Sequence, residues 1–264
     1  MLLLAWRRAF SFMFRDSRWP RKLLIGGLAI LLFPPIGWPM ALGYRKEVAF
    51  RLIGGEEPAL PEWKGSWGRF VRDGFCATGI ILVYYLPFLC LFWFLALDDV
   101  AVVRRHVLEI VCFLFAIPLL IPVSLPLLPP LYWYLFPWVH LTLPEMFVIG
   151  AVFWGTAFFM PAAFLQVSLT GRFLPAFRVA RIVRFVLETP RAYLEAWVLS
   201  LLATALAFLV GPLAPWGIFW SYLVIVHAFN DALIHWRAPE VAERFRRSAL
   251  HVAADAPGRR RTHG

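Results

Sequence analysis

The sequence predicts an all-α integral membrane protein with about four to six transmembrane helices. The clearest observation is an uncharged run from Gly74 to Leu97, which is followed at once by Asp98 and Asp99. About 20 apolar residues in a helix cross a hydrocarbon core of about 30 Å. The composition agrees, since 61% of the 264 residues are hydrophobic and only 16% are charged, whereas soluble domains carry about 25% charged residues.

The distribution of charge argues against nucleic acid as a partner. The formal net charge is +10, which in a soluble domain would indicate nucleic-acid binding. Here the basic residues flank apolar runs, as they do when they set membrane topology and contact anionic lipid headgroups. The cysteines Cys76, Cys90 and Cys112 lie inside apolar runs, so we expect neither a disulfide framework nor a metal site from them.

The N-terminal segment, residues 1–22, is predicted to form an amphipathic helix at the membrane interface. Phe and Trp residues alternate there with basic residues, among them Arg7 and Arg8. Such a segment buries its apolar face at the acyl boundary and keeps its basic face among the headgroups. We expect Arg7 and Arg8 to contact anionic lipid and to help set the topology.

The next segment, residues 23–44, is apolar but is interrupted by Pro34 and Pro35. Proline removes a backbone donor and clashes with the preceding turn, so the segment is either a kinked span or a Pro-broken re-entrant hairpin. We favour the hairpin, because it keeps the basic residues 45–73 on the same side as the N-terminus. Residues 45–73 are predicted to be a polar loop that ends in a second basic interfacial helix just before Gly74.

The centre of the chain, residues 107–139, is an apolar segment that no regular helix would accommodate. Prolines leave backbone groups without helical hydrogen-bond partners, and within a membrane these groups need protein or water instead. We therefore expect this segment to be shielded from lipid or to lie at an interface. Six prolines interrupt it, namely Pro118, Pro122, Pro126, Pro129, Pro130 and Pro137.

The last part of the chain contains the remaining predicted helices. Residues 147–169 form a span, and residues 194–210 and 216–236 form a closing helical pair. Between them, residues 172–191 are predicted to be an amphipathic interfacial helix. Its basic stripe, a further contact for lipid headgroups, consists of Arg178, Arg181 and Arg184.

These elements predict one membrane domain between two basic terminal segments. The domain contains two loosely similar halves, and its basic connections are expected on the cytoplasmic side. The protein would then be a multi-pass protein of the inner membrane with both termini cytoplasmic. The predicted bounds are 1–22 for the interfacial segment, 23–236 for the domain, 23–97 and 147–236 for its halves, 107–139 for the segment that joins them, and 237–264 for the C-terminal tail.

Short stretches with a recognisable order and spacing occur in both halves. They are Trp19 to Gly27, Gly43 to Arg45, Gly54 to Glu57, Leu60 to Trp63, Phe70 to Gly74, Ala192 to Leu194, and His227. Together they resemble a prokaryotic membrane family known as domain of unknown function 4013, over roughly residues 15–236. The chain departs from the family's pattern around Asn230 and Asp231. The resemblance implies a multi-pass prokaryotic membrane protein and implies no activity and no catalytic residue.

The candidate metal site is formed by His227, Asp231 and His235. At positions i, i+4 and i+8 they share one face of a helix, and imidazole and carboxylate groups are ligands for zinc or iron. Ionisable residues within a membrane are costly and often functional. The alternative is that Asp231 and His235 lie near the cytoplasmic end and pair with Arg237 or with another helix. The sequence identifies no cofactor.

The sequence supports no particular reaction, because it has no nucleophile elbow, P-loop, dinucleotide fingerprint or zinc-protease motif. We therefore expect a non-catalytic structural or accessory subunit that packs against other membrane subunits. One alternative is a small transporter or lipid-handling protein, which a polar intramembrane cavity reaching His227 and Asp231 would favour. The second alternative is a metal-dependent intramembrane enzyme.

Overall fold

The computed structural model describes residues 2–32, 34–96, 143–170 and 172–255, and within these ranges the side chains of residues 2–5, 34, 92–96, 143, 146, 235 and 237–255 are left undescribed. Every regular element in these ranges is helical, which confirms the all-α class. Short 3₁₀ turns connect several of the helices. The α-helices are α1 (Leu2–Ser11), α2 (Trp19–Leu32), α3 (Pro34–Gly54), α4 (Trp67–Ala96), α5 (Leu143–Thr170), α6 (Val179–Glu188), α7 (Pro190–Leu209) and α8 (Ala214–Asp255).

Four of the described helices are long and apolar enough to cross a membrane, which confirms a multi-pass membrane protein. This number is the lower end of the predicted four to six. A helix of 20–25 residues is about 30–38 Å long, which matches the hydrocarbon core. The four candidate spans are Trp67–Leu91, Phe147–Thr170, Pro190–Leu209 and Gly211–Ile234.

Helices α2 and α3 form the Pro-broken hairpin that the sequence predicts. Helix α2 ends at Leu32 and α3 begins at Pro34. Gly37 packs so closely on α2 that a side chain there would collide with the Ala29 carbonyl, so the chain reverses direction between the two helices. Neither helix is among the candidate spans.

The two ends of this hairpin lie side by side. Arg15, just before α2, forms an ion pair of 2.9 Å with Glu57, just after α3. A segment that crossed the membrane would separate these residues by its full thickness. Their contact shows that the chain turns back on itself between them, which is the hairpin geometry that the predicted re-entrant segment requires.

A buried lysine holds the hairpin closed. The Lys22 ammonium group lies 2.7 Å from the Asp16 carboxylate, 2.8 Å from the Leu60 carbonyl oxygen and 2.9 Å from the Glu62 carboxylate. The first two contacts are hydrogen bonds donated by the ammonium group, and the contact with Glu62 is an ion pair. The side chains of Lys22 and Asp16 are 4% and 5% exposed, and buried charges of this kind are tolerated only when they are fully paired. We call these four groups the Lys22 clamp.

An aromatic cluster packs directly against the Lys22 clamp. The rings of Tyr44 and Trp63 stack with centroids 4.4 Å apart. The Trp63 indole donates a 3.1 Å hydrogen bond to the Lys22 carbonyl, and the Tyr44 hydroxyl donates a 3.0 Å hydrogen bond to the Pro61 carbonyl. Phe70 and Phe219 complete the cluster against Tyr44. The loop between α3 and α4 is therefore tied to α2, α3 and α8 at once.

Several predicted boundaries are wrong. The sequence interpretation begins a polar loop at residue 45, but α3 continues to Gly54, because its polar residues pair along the helix, as Glu47 and Arg51 do at 3.3 Å. The interfacial helix expected before Gly74 is the first part of α4. Helix α8 continues beyond residue 236 to Asp255. The Pro-rich segment 107–139 lies outside the described residues, and the similarity of the two halves remains a prediction.

Replacing Asp16 by Asn should destabilise the protein markedly. The change removes the charge that faces the buried Lys22 ammonium, and losing such a charged hydrogen bond costs about 1.5–3 kcal/mol. We expect the unfolding temperature in detergent to fall by about 3–12 °C, at about 2–4 °C for each kcal/mol. The matched control is Glu57→Gln, which removes an ion pair whose side chains are 64% and 73% exposed; it should change the temperature by a degree or two. Equal effects of the two substitutions would contradict the clamp.

The contribution of Asp16 should disappear in acid. Burial raises the pKa of Asp16, but the hydrogen bonds from Lys22 and from the Arg18 amide, with the charges of both residues, lower it below its ordinary value of 3.8. The native state therefore binds fewer protons than the unfolded chain, and the stabilisation present above about pH 4 is lost as the pH falls through the native pKa. Thermal unfolding of the wild type and Asp16→Asn between pH 7 and pH 3 should show their difference shrinking only below about pH 4. A difference that stays constant over this range would contradict the assignment.

Candidate functional site

Helix α3 presents Arg45 to the interior of the helix bundle. Consecutive helical residues point about 100° apart, so Gly43, Tyr44 and Arg45 face three different neighbours. Gly43 packs against the Phe70 carbonyl of α4, where a side chain would collide. Tyr44 is fully buried in the aromatic cluster beside the Lys22 clamp. Arg45 is thereby directed towards α5 and α8.

Arg45 has aromatic neighbours but no acidic partner among the described residues. Its guanidinium carbon lies 5.5 Å from the centre of the Phe164 ring and 5.9 Å from that of Tyr222. Such cation–π contacts contribute about 0.5–2 kcal/mol and do not neutralise the charge. The acid nearest in sequence, Glu47, is engaged by Arg51 and Arg69 at 3.3 and 3.4 Å. Arg45 therefore keeps a full positive charge and up to five N–H donors.

Arg45 lines a cavity of about 320 Å³ between α3, α4, α5 and α8, which we call the basic cleft. Three other charged residues line it. Asp73 accepts ion pairs from Lys46 at 3.1 Å and from Arg72 at 3.5 Å. The remainder of the lining is mostly apolar, with Cys76 and Ser168 as small polar members. The cleft thus contains three cations and a single carboxylate from the described chain.

An apolar pocket of about 80 Å³ adjoins the basic cleft. The two cavities have Arg45 and Phe164 in common. One wall of the pocket is fixed by the Trp38 indole, which donates a 2.8 Å hydrogen bond to the Tyr222 hydroxyl. The pocket is lined further by Ile81, Met160, Trp197 and Ile225, among others. Arg45 therefore lies where a charged cavity meets an apolar one.

The model of a family described as proteins of unknown function (DUF4013) matches residues 26–215, which is more than two thirds of the chain. This chain belongs to that family. The match confirms the resemblance that the short sequence stretches indicate. The comparisons with curated proteins and with solved structures found no match.

Several stretches of the first half that carry the resemblance to the DUF4013 family lie together in the structure. Gly43 and Gly74 allow α3 and α4 to touch backbone to backbone, since a side chain on either would collide with a carbonyl of the other helix. Trp63 stacks on Tyr44 beside the Lys22 clamp. Arg45, the last residue of the stretch Gly43 to Arg45, lines the basic cleft. The pieces scattered in the sequence thus build one structural unit.

The predicted metal ligands lie apart from the basic cleft. His227 and Asp231 line a further cavity of about 540 Å³, together with Glu188 and Glu195. The His227 ring packs on Phe12 at 4.7 Å, and its Nδ1 has no hydrogen-bond partner among the described residues. The side chain of His235 lies outside the described part. No group of three His, Cys, Asp or Glu side chains suited to a metal occurs in that part, so the three-residue site stays a prediction.

The arginines predicted to contact headgroups lie mostly on the surface. Arg7 and Arg8 are exposed on α1, and Arg178 and Arg184 are exposed at α6, whereas Arg181 is partly buried. Helix α6 buries Ile182, Phe185 and Val186 against the rest of the protein. Its basic residues are therefore left on the side away from the core, as an interfacial helix requires.

Sequence reasoning missed the two cations that organise the site. The sequence prediction places Lys22 among the basic residues of the interfacial segment 1–22 and Arg45 at the start of the polar loop 45–73. The sequence contained one signal, because both residues belong to stretches that resemble the family. What it could not show is which acids pair with which cations, since the partners of Lys22 lie 6 to 40 positions away.

Replacing Arg45 by Met should leave the protein as stable as the wild type or more stable. An unpaired cation withdrawn from water carries a desolvation cost that a methionine of similar length does not. We expect the unfolding temperature of the ligand-free protein to stay the same or to rise by a few degrees. Lys22→Met, which leaves Asp16 buried without its partner, is the matched control and should lower it. A loss at Arg45→Met as large as the loss at Lys22→Met would show that Arg45 is a structural residue.

Proposed function

We propose that this protein handles lipids and binds an anionic amphiphile in the basic cleft. The observation that carries the proposal is Arg45, a partly buried arginine without an acidic partner in the described chain. A protein retains such a charge at a cost in stability, and the cost is offset when an anion binds it through a bidentate pair of hydrogen bonds. The adjoining apolar pocket favours an anion that carries an apolar group.

The location of the basic cleft supports a lipid as the anion's source. The end of α3 and the start of α4 carry basic residues on both sides of the loop that joins them, namely Lys46, Arg51, Arg69 and Arg72, and Lys46 and Arg72 line the cleft. Basic segments of this kind face the cytoplasm, where the leaflet is anionic. We therefore propose that the cleft lies at the cytoplasmic side of a prokaryotic inner membrane, with both termini cytoplasmic.

An intramembrane polar cavity reaching His227 and Asp231 would favour transport, but the cavity of about 540 Å³ that these residues line is open and mostly apolar, so it adds no support to that class. A metal-dependent enzyme would need further ligands converging on His227, Asp231 and His235, and it remains the weaker alternative.

An accessory-subunit role is the second candidate function. The favouring observation is the low burial of three spans, since the most apolar windows in α4, α5 and α7 are only 33–39% buried, against 72% in the last span. These faces need lipid or another membrane subunit to cover them. The two proposals are compatible, because the basic cleft opens between helices of this chain alone.

Native mass spectrometry during titration with lipid tests the proposal. Dioleoyl phosphatidylglycerol should bind the wild type at least tenfold more tightly than dioleoyl phosphatidylethanolamine. Arg45→Gln should weaken the binding of phosphatidylglycerol about tenfold or more, because charged hydrogen bonds contribute about 1.5–3 kcal/mol. The control is Arg21→Gln, which removes an exposed arginine of α2 outside the cleft and should change the affinity less than twofold.

Equal losses in Arg45→Gln and Arg21→Gln would overturn the proposal, since lipid would then bind to surface charge in general. Binding of both lipids with equal affinity would overturn it as well. Spectra of particles taken from the protein's own membranes decide on the second candidate. Stoichiometric foreign subunits would support the accessory role, and a lone chain or homo-oligomer would contradict it.

A further inference from the structure

The balance of charge in the basic cleft defines the kind of anion that it accepts. Lys46 and Arg72 share the carboxylate of Asp73, at 3.1 and 3.5 Å. Arg45 has no carboxylate of its own in the described chain. The described lining of the cleft therefore has two positive charges in excess, with Arg72 at its solvent-exposed edge, where this side chain is 76% exposed. One negative charge on a ligand would leave it half neutralised.

From this balance we infer that the ligand is a lipid whose headgroup is a phosphate monoester. This inference rests on the proposed function and specifies its substrate class. A phosphate monoester has a second pKa near 6 and therefore carries close to two negative charges at neutral pH. Fatty acids and phosphodiester lipids carry only one.

The geometry of the basic cleft fits the same headgroup. Three terminal oxygens of a phosphate monoester are free to accept hydrogen bonds, and the flat guanidinium of Arg45 binds two of them side by side. We expect the third oxygen to contact Lys46 or Arg72, which line the same cavity. A volume of about 320 Å³ lies at the lower end of the range for small-molecule sites, so it suits a headgroup without a sugar or an alcohol attached.

The apolar part of the site distinguishes a lipid phosphate from free phosphate. Inorganic phosphate offers the same oxygens and charge, but it has no group to place against Trp38, Ile81 and Met160. The adjoining pocket has about 80 Å³ of space, enough for the first few methylene groups of a chain. The rest of the chain would lie along the exposed apolar faces of the spans.

Cys76 provides a reporter within the site. It lines the basic cleft and is exposed, so a bound headgroup should shield its thiol. In a Cys90→Ser, Cys112→Ser background it is the one remaining cysteine of the chain. The rate of its alkylation by a maleimide, measured in phosphatidylcholine micelles with and without a second lipid, then reports occupancy. The whole chain is used throughout.

The lipids to compare are dioleoyl phosphatidic acid, dioleoyl phosphatidylglycerol and oleate, with inorganic phosphate as the soluble anion. We expect half-protection of Cys76 by phosphatidic acid at a concentration at least tenfold below that for phosphatidylglycerol or oleate. The advantage should shrink severalfold between pH 7.5 and pH 5.5, as the second proton binds the headgroup, while protection by phosphatidylglycerol stays constant.

Three variants assign the effect to the basic cleft. Arg45→Gln should abolish the preference for phosphatidic acid, and Arg45→Lys, which keeps the charge but loses the planar fork, should weaken it. Lys64→Gln, at an exposed loop position outside the cleft, should behave as the wild type. An unfolding temperature measured for each variant shows that it is folded.

The alternative results separate this inference from the proposed function. Equal protection by phosphatidic acid and phosphatidylglycerol, lost in Arg45→Gln, would overturn the monoester assignment and leave lipid binding in place. Protection by inorganic phosphate at the concentrations at which phosphatidic acid protects would overturn the lipid assignment. Protection by none of the four anions would overturn both.

Discussion

The buried ion pair between Lys22 and Asp16 is the interaction on which the rest of the described structure depends. With the Leu60 carbonyl and Glu62 as further acceptors at 2.8 and 2.9 Å, Lys22 joins the start of α2 to the loop after α3. This closes the hairpin and places Trp63 against Tyr44. Because Tyr44 is held on one side of α3, its neighbour Arg45 is held on the other, facing α5 and α8. Short contacts at one end of the bundle thus determine what lines the basic cleft.

The contrast between Lys22 and Arg45 separates a structural charge from a functional one. Both are at least partly buried, but the Lys22 ammonium donates hydrogen bonds to Asp16 and Leu60 and forms an ion pair with Glu62, whereas Arg45 has ring faces and no carboxylate partner among the described residues. A paired charge stabilises the fold and would be costly to break. An unpaired buried charge lowers the stability of the fold, and residues that lower stability in this way are concentrated at binding sites.

The sequence was sufficient for the membrane class, the family and the hairpin, because these follow from the length of apolar runs, the position of Pro34 and the order of a few short stretches. The sequence prediction starts the loop after α3 too early. Glu47 and Arg51 lie within the helix, but charged residues at this spacing are also typical of a polar connection. The sequence prediction also failed to identify the basic cleft. The cleft depends on which faces of α3, α4, α5 and α8 meet, and periodicity within one helix contains no information on that.

The most direct test of this account is an experimental structure of the protein in nanodiscs that contain phosphatidic acid, determined together with that of Arg45→Gln. The account predicts headgroup density within hydrogen-bond distance of the Arg45 guanidinium in the wild type, none in the variant, and an intact Lys22 clamp in both. An Arg45 side chain paired with a carboxylate from elsewhere in the chain, with no lipid in the basic cleft, would contradict it.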